Sequence, residues 1–276
     1  MSSWRERARR VTLLRFLAHQ VRLLARCGQR ARTAVTTTYR LPNFNLQLFF
    51  EDALRWQNSL ERQATGIRLG QYYEFGVYRA GTFLTFHRAL KAVRRITRLV
   101  HPVKMFAFDS FQGLPPAKSI HDQTPFWTQG KYSCSEAEFR RLLRSGGVRE
   151  DDVVCVPGFY ESSLTPELAG RLADAPPGII TIDCDLYSST ATVLEWLRPL
   201  LRHGTLFYFD DIWTFLGHPD YGEMRAIAEF NAKGAGLLVE HHFSQGSKRV
   251  WIYTNPVQAD LFHQRSGPDV PLVKTG

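Results

Sequence analysis

Cysteines are few in this chain, and none of its apolar runs is long. The 276 residues include four cysteines without a CxxC pair among them, namely Cys27, Cys134, Cys155 and Cys184. This spacing indicates neither a disulfide framework nor a zinc site. Because no secretory leader precedes these cysteines, we expect a reducing, cytoplasmic setting.

Short catalytic signatures are also missing. The sequence contains no GxGxxG dinucleotide fingerprint, no P-loop, no nucleophile elbow and no Ser/His/Asp order. The sequence therefore does not indicate a dinucleotide-binding enzyme of the GxGxxG type, a P-loop nucleotidase or a serine hydrolase.

The first 40 residues contain apolar stretches, but arginines interrupt each of them. Arg15, Arg22 and Arg26 do so well before the roughly 18–20 apolar residues that a membrane-spanning helix requires. On a helical wheel these arginines and His19 share one side, opposite a leucine-rich side. We predict a basic amphipathic helix within residues 1–32, which could lie on an anionic membrane, dock on a partner subunit or pack on its own domain.

The net charge of +9 is confined to the start of the chain. Residues 1–40 hold ten arginines and one acid, Glu6, which gives 10 − 1 = +9, so the remaining 236 residues are neutral overall. A basic extension therefore precedes a neutral globular part, and the charge does not indicate a nucleic-acid partner. We place the extension at residues 1–40, one domain at residues 41–262 and a tail at residues 263–276.

Apolar runs and helical patterns alternate along the domain. The predicted strands are 70–75, 104–108, 152–156, 178–183 and 204–209, and the predicted helices are 46–63, 82–99, 136–145, 166–174, 190–202 and 221–233. Such alternation favours a mostly parallel sheet with helices on both faces. The last two strand-like runs, 236–243 and 249–254, are separated by a short polar loop and predict an antiparallel hairpin. This seven-stranded α/β layout resembles that of the Rossmann-like class I methyltransferases, a likeness of fold that does not determine the chemistry.

Four aspartates follow two of the predicted strands. Asp183 and Asp185 come after the run 178–183, and Asp210 and Asp211 come after the run 204–209. Open α/β sheets place their ligand crevice at such strand ends. Carboxylates that converge there repel one another unless a cation neutralises them, and Mg²⁺ prefers oxygen ligands. The alternative is that these aspartates are helix N-caps.

Two further turns have the composition of a ligand-binding edge. Gly76 and Gly81 follow the first strand and let a ligand approach the backbone, where the next helix begins. Asp109 ends the second strand, where an acid can accept hydrogen bonds from ribose hydroxyls. A turn-forming Asp-Ser pair is the alternative for this position.

Taken together, six segments resemble the TylF/MycF/NovP family of S-adenosylmethionine (SAM)-dependent O-methyltransferases, which act on sugar hydroxyls of antibiotics. The segments are EFGVYRAGT (74–82), FDSFQGLP (108–115), WTQGKYSCS (127–135), PGFYESSL (157–164), IDCDLYSST (182–190) and FYFDDI (207–212). They occur in the family's order over about residues 46–255. The resemblance identifies residues 41–262 as a SAM-dependent methyltransferase domain.

The resemblance also implies roles for individual residues. It implies SAM contacts from Glu74, Gly76, Tyr78, Gly81, Thr82, Asp109 on the ribose with its neighbour Ser110, and Ser135, Gly158 and Phe159 at the border of the cofactor. It implies metal ligands at Asp183, Asp210 and Asp211. Asp185 is implied as the general base or as an acid that orients the acceptor, with Asp183 as its catalytic partner. Ala80 departs from the family, which usually has glycine there.

These features predict a cytoplasmic enzyme that moves a methyl group from SAM to a hydroxyl of a sugar or other diol-bearing small molecule or glycoconjugate, assisted by Mg²⁺. The expected partners are an acceptor with vicinal hydroxyls, a second copy of the chain, and a membrane or partner subunit contacted through residues 1–32. We expect no nucleic-acid partner. Two alternatives remain at this stage. Asp183-Cys184-Asp185 also fits the DxD motif of a metal-dependent glycosyltransferase. The chain could also be a non-catalytic, membrane-associated module.

Overall fold

The computed structural model describes residues 45–63, 67–124, 127–234, 236–240 and 250–258. The predicted amphipathic helix and the tail after residue 262 lie outside these ranges, so both stay predictions. Within the described residues, no helix is long and apolar enough to cross a membrane.

Helices and strands alternate as the sequence predicts. The strands are β1 (Gln71–Phe75), β2 (Met105–Asp109), β3 (Val153–Pro157), β4 (Pro177–Ile182), β5 (Leu206–Phe209), β6 (Leu237–Glu240) and β7 (Val250–Thr254). The helices are α1 (Leu46–Arg62), α2 (Gly81–Ile96), α3 (Glu136–Ser145), α4 (Tyr160–Ser163), α5 (Pro166–Leu172), α6 (Tyr187–Leu197) and α7 (Gly222–Lys233).

The seven described strands form one sheet in the order β3-β2-β1-β4-β5-β7-β6. Pairs among the first five strands are parallel, whereas β7 pairs antiparallel with both β5 and β6. The predicted fold class, including the C-terminal antiparallel hairpin, is confirmed. Strand order reverses between β1 and β4, and the carboxyl ends on either side of such a reversal open a crevice for ligands.

Apolar and aromatic side chains cover both faces of the sheet. All six residues of β4 are buried, as expected for a central parallel strand. On one face Tyr72 stacks on Phe86 of α2, with ring centroids 3.8 Å apart. On the other face Phe75 stacks on Phe108 at 4.5 Å, and both rings contact Trp196 of α6. This packing fixes the strand ends that carry the site.

The boundaries of α6 differ most from the prediction. The helix was predicted over 190–202, but it spans Tyr187–Leu197 and continues as a 3₁₀ turn over Arg198–Leu200. Pro199 lacks a backbone N–H and cannot continue the α-helical hydrogen bonds, which accounts for the early end. The sequence pattern also missed the short helix α4 and a 3₁₀ turn at Ile120–Asp122.

Candidate active site

A cleft of about 320 Å³ opens at the carboxyl edge of the sheet. The turns that follow β1, β2, β3, β4 and β5 all contribute to its walls. The cleft therefore lies at the strand-order reversal, where the fold predicts a ligand site.

Three carboxylates meet at one end of this cleft. Asp183 follows β4, and Asp210 and Asp211 follow β5; one oxygen from each lies within 4.8 Å of the others. The register pairs Ile182 with Phe209, which brings the two strand ends level. Three oxygen donors at this separation, each half-buried, fit a hard divalent cation.

Burial and the neighbouring carboxylates both act on Asp183. Removal from bulk water raises the pKa of Asp183, and the neighbouring charges of Asp210 and Asp211 raise it further. The ionised cluster is therefore unfavourable by itself, and a cation would remove the repulsion.

The chain holds Asp210 and Asp211 in place through several hydrogen bonds. The hydroxyl of Tyr208 donates to Asp210 Oδ1 at 2.5 Å. Asp211 Oδ2 accepts from the backbone N–H of Asp185 at 3.2 Å, and the N–H of Asp211 donates to Glu223 Oε2 at 2.9 Å. These hydrogen bonds orient both carboxylates.

Asp185 lies beside the cluster and lines the cleft. Its backbone is left-handed, with φ of 62°. Burial and the negative charge of Asp210 together raise the pKa of Asp185 to about 7. The positive charge of Lys131 partly opposes this increase. In the chain without a cation, this carboxyl can therefore exchange a proton near neutral pH.

Glu223 is a site residue that the sequence analysis missed. It lies in the first turn of α7, is 1% exposed and accepts the backbone N–H of Asp211 through Oε2. Burial raises its pKa, as do the charges of Asp211 and Asp210. Its other oxygen has no hydrogen-bond partner among the described residues. An acid in the first turn of a helix usually complements the helix dipole, so sequence alone gave no reason to single it out.

The other end of the cleft is built by the turn after β1. Gly76 has φ of 85°, and a Cβ there would lie 1.8 Å from the carbonyl oxygen of Asp183. Asp109 Oδ2 accepts the backbone N–H groups of Val77 and Tyr78, at 2.8 and 3.2 Å, and Oδ1 accepts that of Phe111 at 2.7 Å. Asp109 therefore ties the first two strand ends together.

Ala80 occupies a position that favours glycine. Its backbone is left-handed, with φ of 61°, and its side chain is buried at the start of α2. The left-handed region disfavours residues with a Cβ. This explains physically why a glycine would be preferred here.

Most of the predicted site residues lie together in the cleft. Those that line it are Gly76, Tyr78, Asp109, Ser110, Gly158, Phe159, Asp183, Asp185, Asp210 and Asp211. Glu74, Gly81, Thr82 and Ser135 do not line it.

The residues outside the cleft lining have other surroundings. Glu74 is buried and accepts the hydroxyl of Tyr72 at 2.5 Å. Gly81 and Thr82 form the first turn of α2, and Ser135 caps α3 by accepting the N–H of Glu138 at 3.3 Å. Their cofactor contacts stay predictions.

The family model for macrocin O-methyltransferase (TylF) matches residues 48–234, about two thirds of the chain. The chain belongs to this family. The matched range includes every residue of the carboxylate cluster, the turn after β1 and Glu223. The predicted family is therefore confirmed, and the interpretation as an O-methyltransferase is supported at the level of the family.

A curated relative is an 8-demethyl-8-(2,3-dimethoxy-α-L-rhamnosyl)-tetracenomycin-C 4′-O-methyltransferase of Streptomyces olivaceus, with 28% identity over 152 residues. That match covers 51% of this chain and 52% of the relative, so the chain spans about half the length of the protein it matches. A crystal structure of calicheamicin methyltransferase superimposes with a TM-score of 0.52 at 24% identity, covering 74% of this chain and 78% of that one. This structural likeness supports the fold.

Aromatic side chains from loops complete the walls of the cleft in this TylF-family chain. Tyr78 and Tyr132 meet edge to face at 5.6 Å, and Trp127 contacts Phe215 at 6.0 Å. Trp127 and Tyr132 line the cleft although no role was predicted for either residue. Both lie in the segment 127–135, so the family motif was the one signal for them, because loops carry no periodic pattern.

Proposed function

We propose that this chain is a metal-dependent O-methyltransferase that moves a methyl group from SAM to a hydroxyl of a sugar or of another small molecule with vicinal hydroxyls. The observation that carries the proposal is the meeting of three carboxylates and Asp185 in the same cleft as the turn after β1. The curated relative is named for methyl transfer to a rhamnosyl group, which supports a glycosylated acceptor.

Each residue of the cleft has a defined task in this proposal. Asp183, Asp210 and Asp211 would hold a divalent cation, which supplies Lewis acidity that makes a neighbouring alcohol easier to deprotonate. Asp185, beside them, accepts the proton of the acceptor hydroxyl. The carboxylates also fix the direction in which the acceptor oxygen points.

The opposite end of the cleft would take the cofactor. SAM supplies an already activated methyl group on its sulfonium. Gly76 leaves the backbone open to close approach, and Asp109 accepts a ribose hydroxyl. Three of the roughly four acceptor sites of the Asp109 carboxylate are used by backbone N–H groups, so we expect it to accept one ribose hydroxyl, not two.

We further propose that the enzyme works in the cytoplasm, with residues 1–32 as a contact to an anionic membrane or a partner subunit, and that it self-associates. The alternative of a DxD glycosyltransferase accounts for Asp183 and Asp185 but not for the participation of Asp210 and Asp211 in the same cluster.

Isotope-labelled SAM tests the reaction directly. The purified chain is incubated with labelled SAM, Mg²⁺ and a panel of glycosides that carry vicinal hydroxyls, and products are analysed by mass spectrometry for one added methyl group. Excess EDTA should abolish the gain, and Asp185→Asn should reduce turnover by about 100-fold or more while SAM affinity changes little. Undiminished methyl transfer in excess EDTA would contradict the metal, and binding of UDP- or GDP-sugars without SAM binding would contradict the reaction.

A further inference from the structure

One stretch of the otherwise neutral domain has no acidic residue. Between Phe75 and Phe108 the sequence contains seven cations, which are Arg79, Arg88, Lys91, Arg94, Arg95, Arg98 and Lys104. The whole chain has 35 − 26 = +9 and residues 1–44 have 10 − 1 = +9, so residues 45–276 sum to zero. Positive charge is therefore concentrated in this stretch, which carries +7 within a domain whose net charge is zero.

Five of these cations are exposed, and we call them together the basic surface, which consists of Arg88, Lys91, Arg94, Arg95 and Arg98. Residues 88, 91 and 95 are spaced by three and four, so they share one side of α2. Arg88 donates to the hydroxyl of Thr85, and Arg94 to the carbonyl of Val103. None of the five pairs with a carboxylate among the described residues, whereas Arg79 lies 4.0 Å from Glu138.

Exposed apolar side chains lie among these cations. Ile96 is 74% exposed at the end of α2, and Val100 is 39% exposed four residues later. Helices that bind at the interface of an anionic membrane combine Lys and Arg with exposed apolar groups. The main apolar side of α2 packs in the core, so Ile96 and Val100 are the exposed large apolar groups available here. Residues 88–100 contain no aromatic ring, whereas proteins that bind single-stranded nucleic acids commonly stack bases on aromatic side chains.

The C-terminal part of the basic surface lies at the opposite edge of the sheet from the cleft. Helix α2 connects the parallel strands β1 and β2, so it begins at the carboxyl edge of the sheet and returns to the amino edge. The cleft lies at the carboxyl edge, whereas Arg94, Arg95 and Arg98 lie towards the amino edge. A partner bound there would leave the cleft accessible.

The N-terminal extension does not supply negative charge to the basic surface. Residues 1–40 contain ten arginines and one acid, so the extension would be repelled by the basic surface and not neutralise it. An anionic partner outside the chain would complement the charge of this surface.

We propose that the basic surface docks the domain on a bilayer that contains anionic phospholipid, with Ile96 and Val100 entering the head-group region. Each Lys or Arg near such a surface contributes about 1 kcal/mol, which corresponds to about a fivefold change in binding. This contact is separate from any made by residues 1–32.

Vesicle sedimentation of the full-length chain tests the proposal. The wild-type chain should bind phosphatidylcholine vesicles that contain phosphatidylglycerol and not vesicles of phosphatidylcholine alone. Arg88→Gln/Lys91→Gln/Arg95→Gln removes three charges and should weaken the binding about 100-fold. The extension is intact in both proteins, so the loss reports on the basic surface. Thermal melting checks that the variant is folded.

A matched variant removes the same charge from the opposite side of the domain. Arg171→Gln/Arg202→Gln/Lys233→Gln alters three exposed residues and should leave vesicle binding within about threefold of wild type. A separate Ile96→Asp variant tests the apolar contact. At high salt, where the charges are screened, it should bind vesicles more weakly than the wild type does at the same salt concentration.

Three results would overturn the proposal. The triple variant on α2 could bind anionic vesicles as tightly as the wild type, which would assign all binding to the extension. Both triple variants could lose binding equally, which would show that only net charge matters. Duplex DNA could bind through the α2 residues while vesicles do not, which would assign the surface to another polyanion.

Discussion

Single backbone positions determine whether the site can form. Gly76 is the clearest case, because its left-handed backbone and its contact with the carbonyl of Asp183 both exclude a side chain. The same contact joins the turn after β1 to the strand end that carries Asp183. A substitution there would push β1 and β4 apart at the site itself.

We expect Gly76→Ala to destabilise the fold by about 3 kcal/mol or more, because the added Cβ clashes with backbone and φ is positive. Urea denaturation measures the change. Gly170→Ala is the matched control: Gly170 lies in α5, where an added Cβ would meet no described atom within 4 Å, so this change should stabilise by about 0.5–1 kcal/mol. Equal stability of the two variants would contradict the geometry at Gly76.

The sequence predicted residues whose chemistry is exposed at strand ends, and it missed those that act from behind. Asp183, Asp210 and Asp211 were predicted because two pairs of acids follow neighbouring strands and because their motifs resemble those of the family. Glu223 was not found, since an acid in a first helical turn is ordinary. Its buried hydrogen bond with Asp211 forms only in the folded chain, where the start of α7 lies beside the turn after β5.

At the scale of elements, one 3₁₀ turn connects the wall of the cleft to the helix after β4. Asp122 ends this turn and is 2% exposed. Its carboxylate accepts the backbone N–H groups of Ser188 in α6 and of Lys118 and Ser119, at 2.8, 2.9 and 3.0 Å. Asp122 thereby joins the loop after β2 to the start of α6.

Asp122→Ala should destabilise the fold by about 3 kcal/mol, because three N–H groups lose their acceptor. Asp174→Ala, at an exposed position after α5, is the control and should change the free energy of unfolding by less than about 0.5 kcal/mol. Chemical denaturation of both variants decides the point. A loss below about 1 kcal/mol for Asp122→Ala would show that the turn does not depend on this carboxylate.

Regular elements were predictable because their hydrophobic patterns are strong. The prediction for α3, residues 136–145, matches Glu136–Ser145, and the strand predictions differ by one or two residues at most ends. The 3₁₀ turn at Ile120–Asp122 and the helix α4 were not predictable, since elements of three or four residues have no measurable period. Tertiary hydrogen bonds, such as those of Asp122, hold them instead.

At the scale of the whole molecule, the carboxylates make stability depend on pH. In the folded chain without a cation, burial and neighbouring charges raise the pKa of Asp183 and of Glu223. They also raise the pKa of Asp185 from 3.8 to about 7. A raised carboxyl pKa means that the folded chain keeps protons which the unfolded chain releases. The stabilisation is complete below pH 3.8 for Asp185 and is lost as the pH rises to about 7.

We therefore expect Mg²⁺ to stabilise the chain more at pH 7.5 than at about pH 5, because protons compete with the cation at the lower pH. The measurement is urea denaturation with EDTA and with excess Mg²⁺ at both values. Asp185→Asn should reduce the pH dependence seen in EDTA. Equal stabilisation by Mg²⁺ at the two pH values would be inconsistent with raised carboxyl pKa values at the binding site.

The central claim is that the three strand-end carboxylates share one divalent cation. Calorimetric titration of Mn²⁺ into the wild-type chain and into Asp211→Asn tests it most directly. The wild type should bind one ion per chain, and the variant should bind it at least 10-fold more weakly, since a neutral amide replaces a charged ligand. A wild-type chain that binds no ion, or a variant that binds as tightly as the wild type, would contradict the claim.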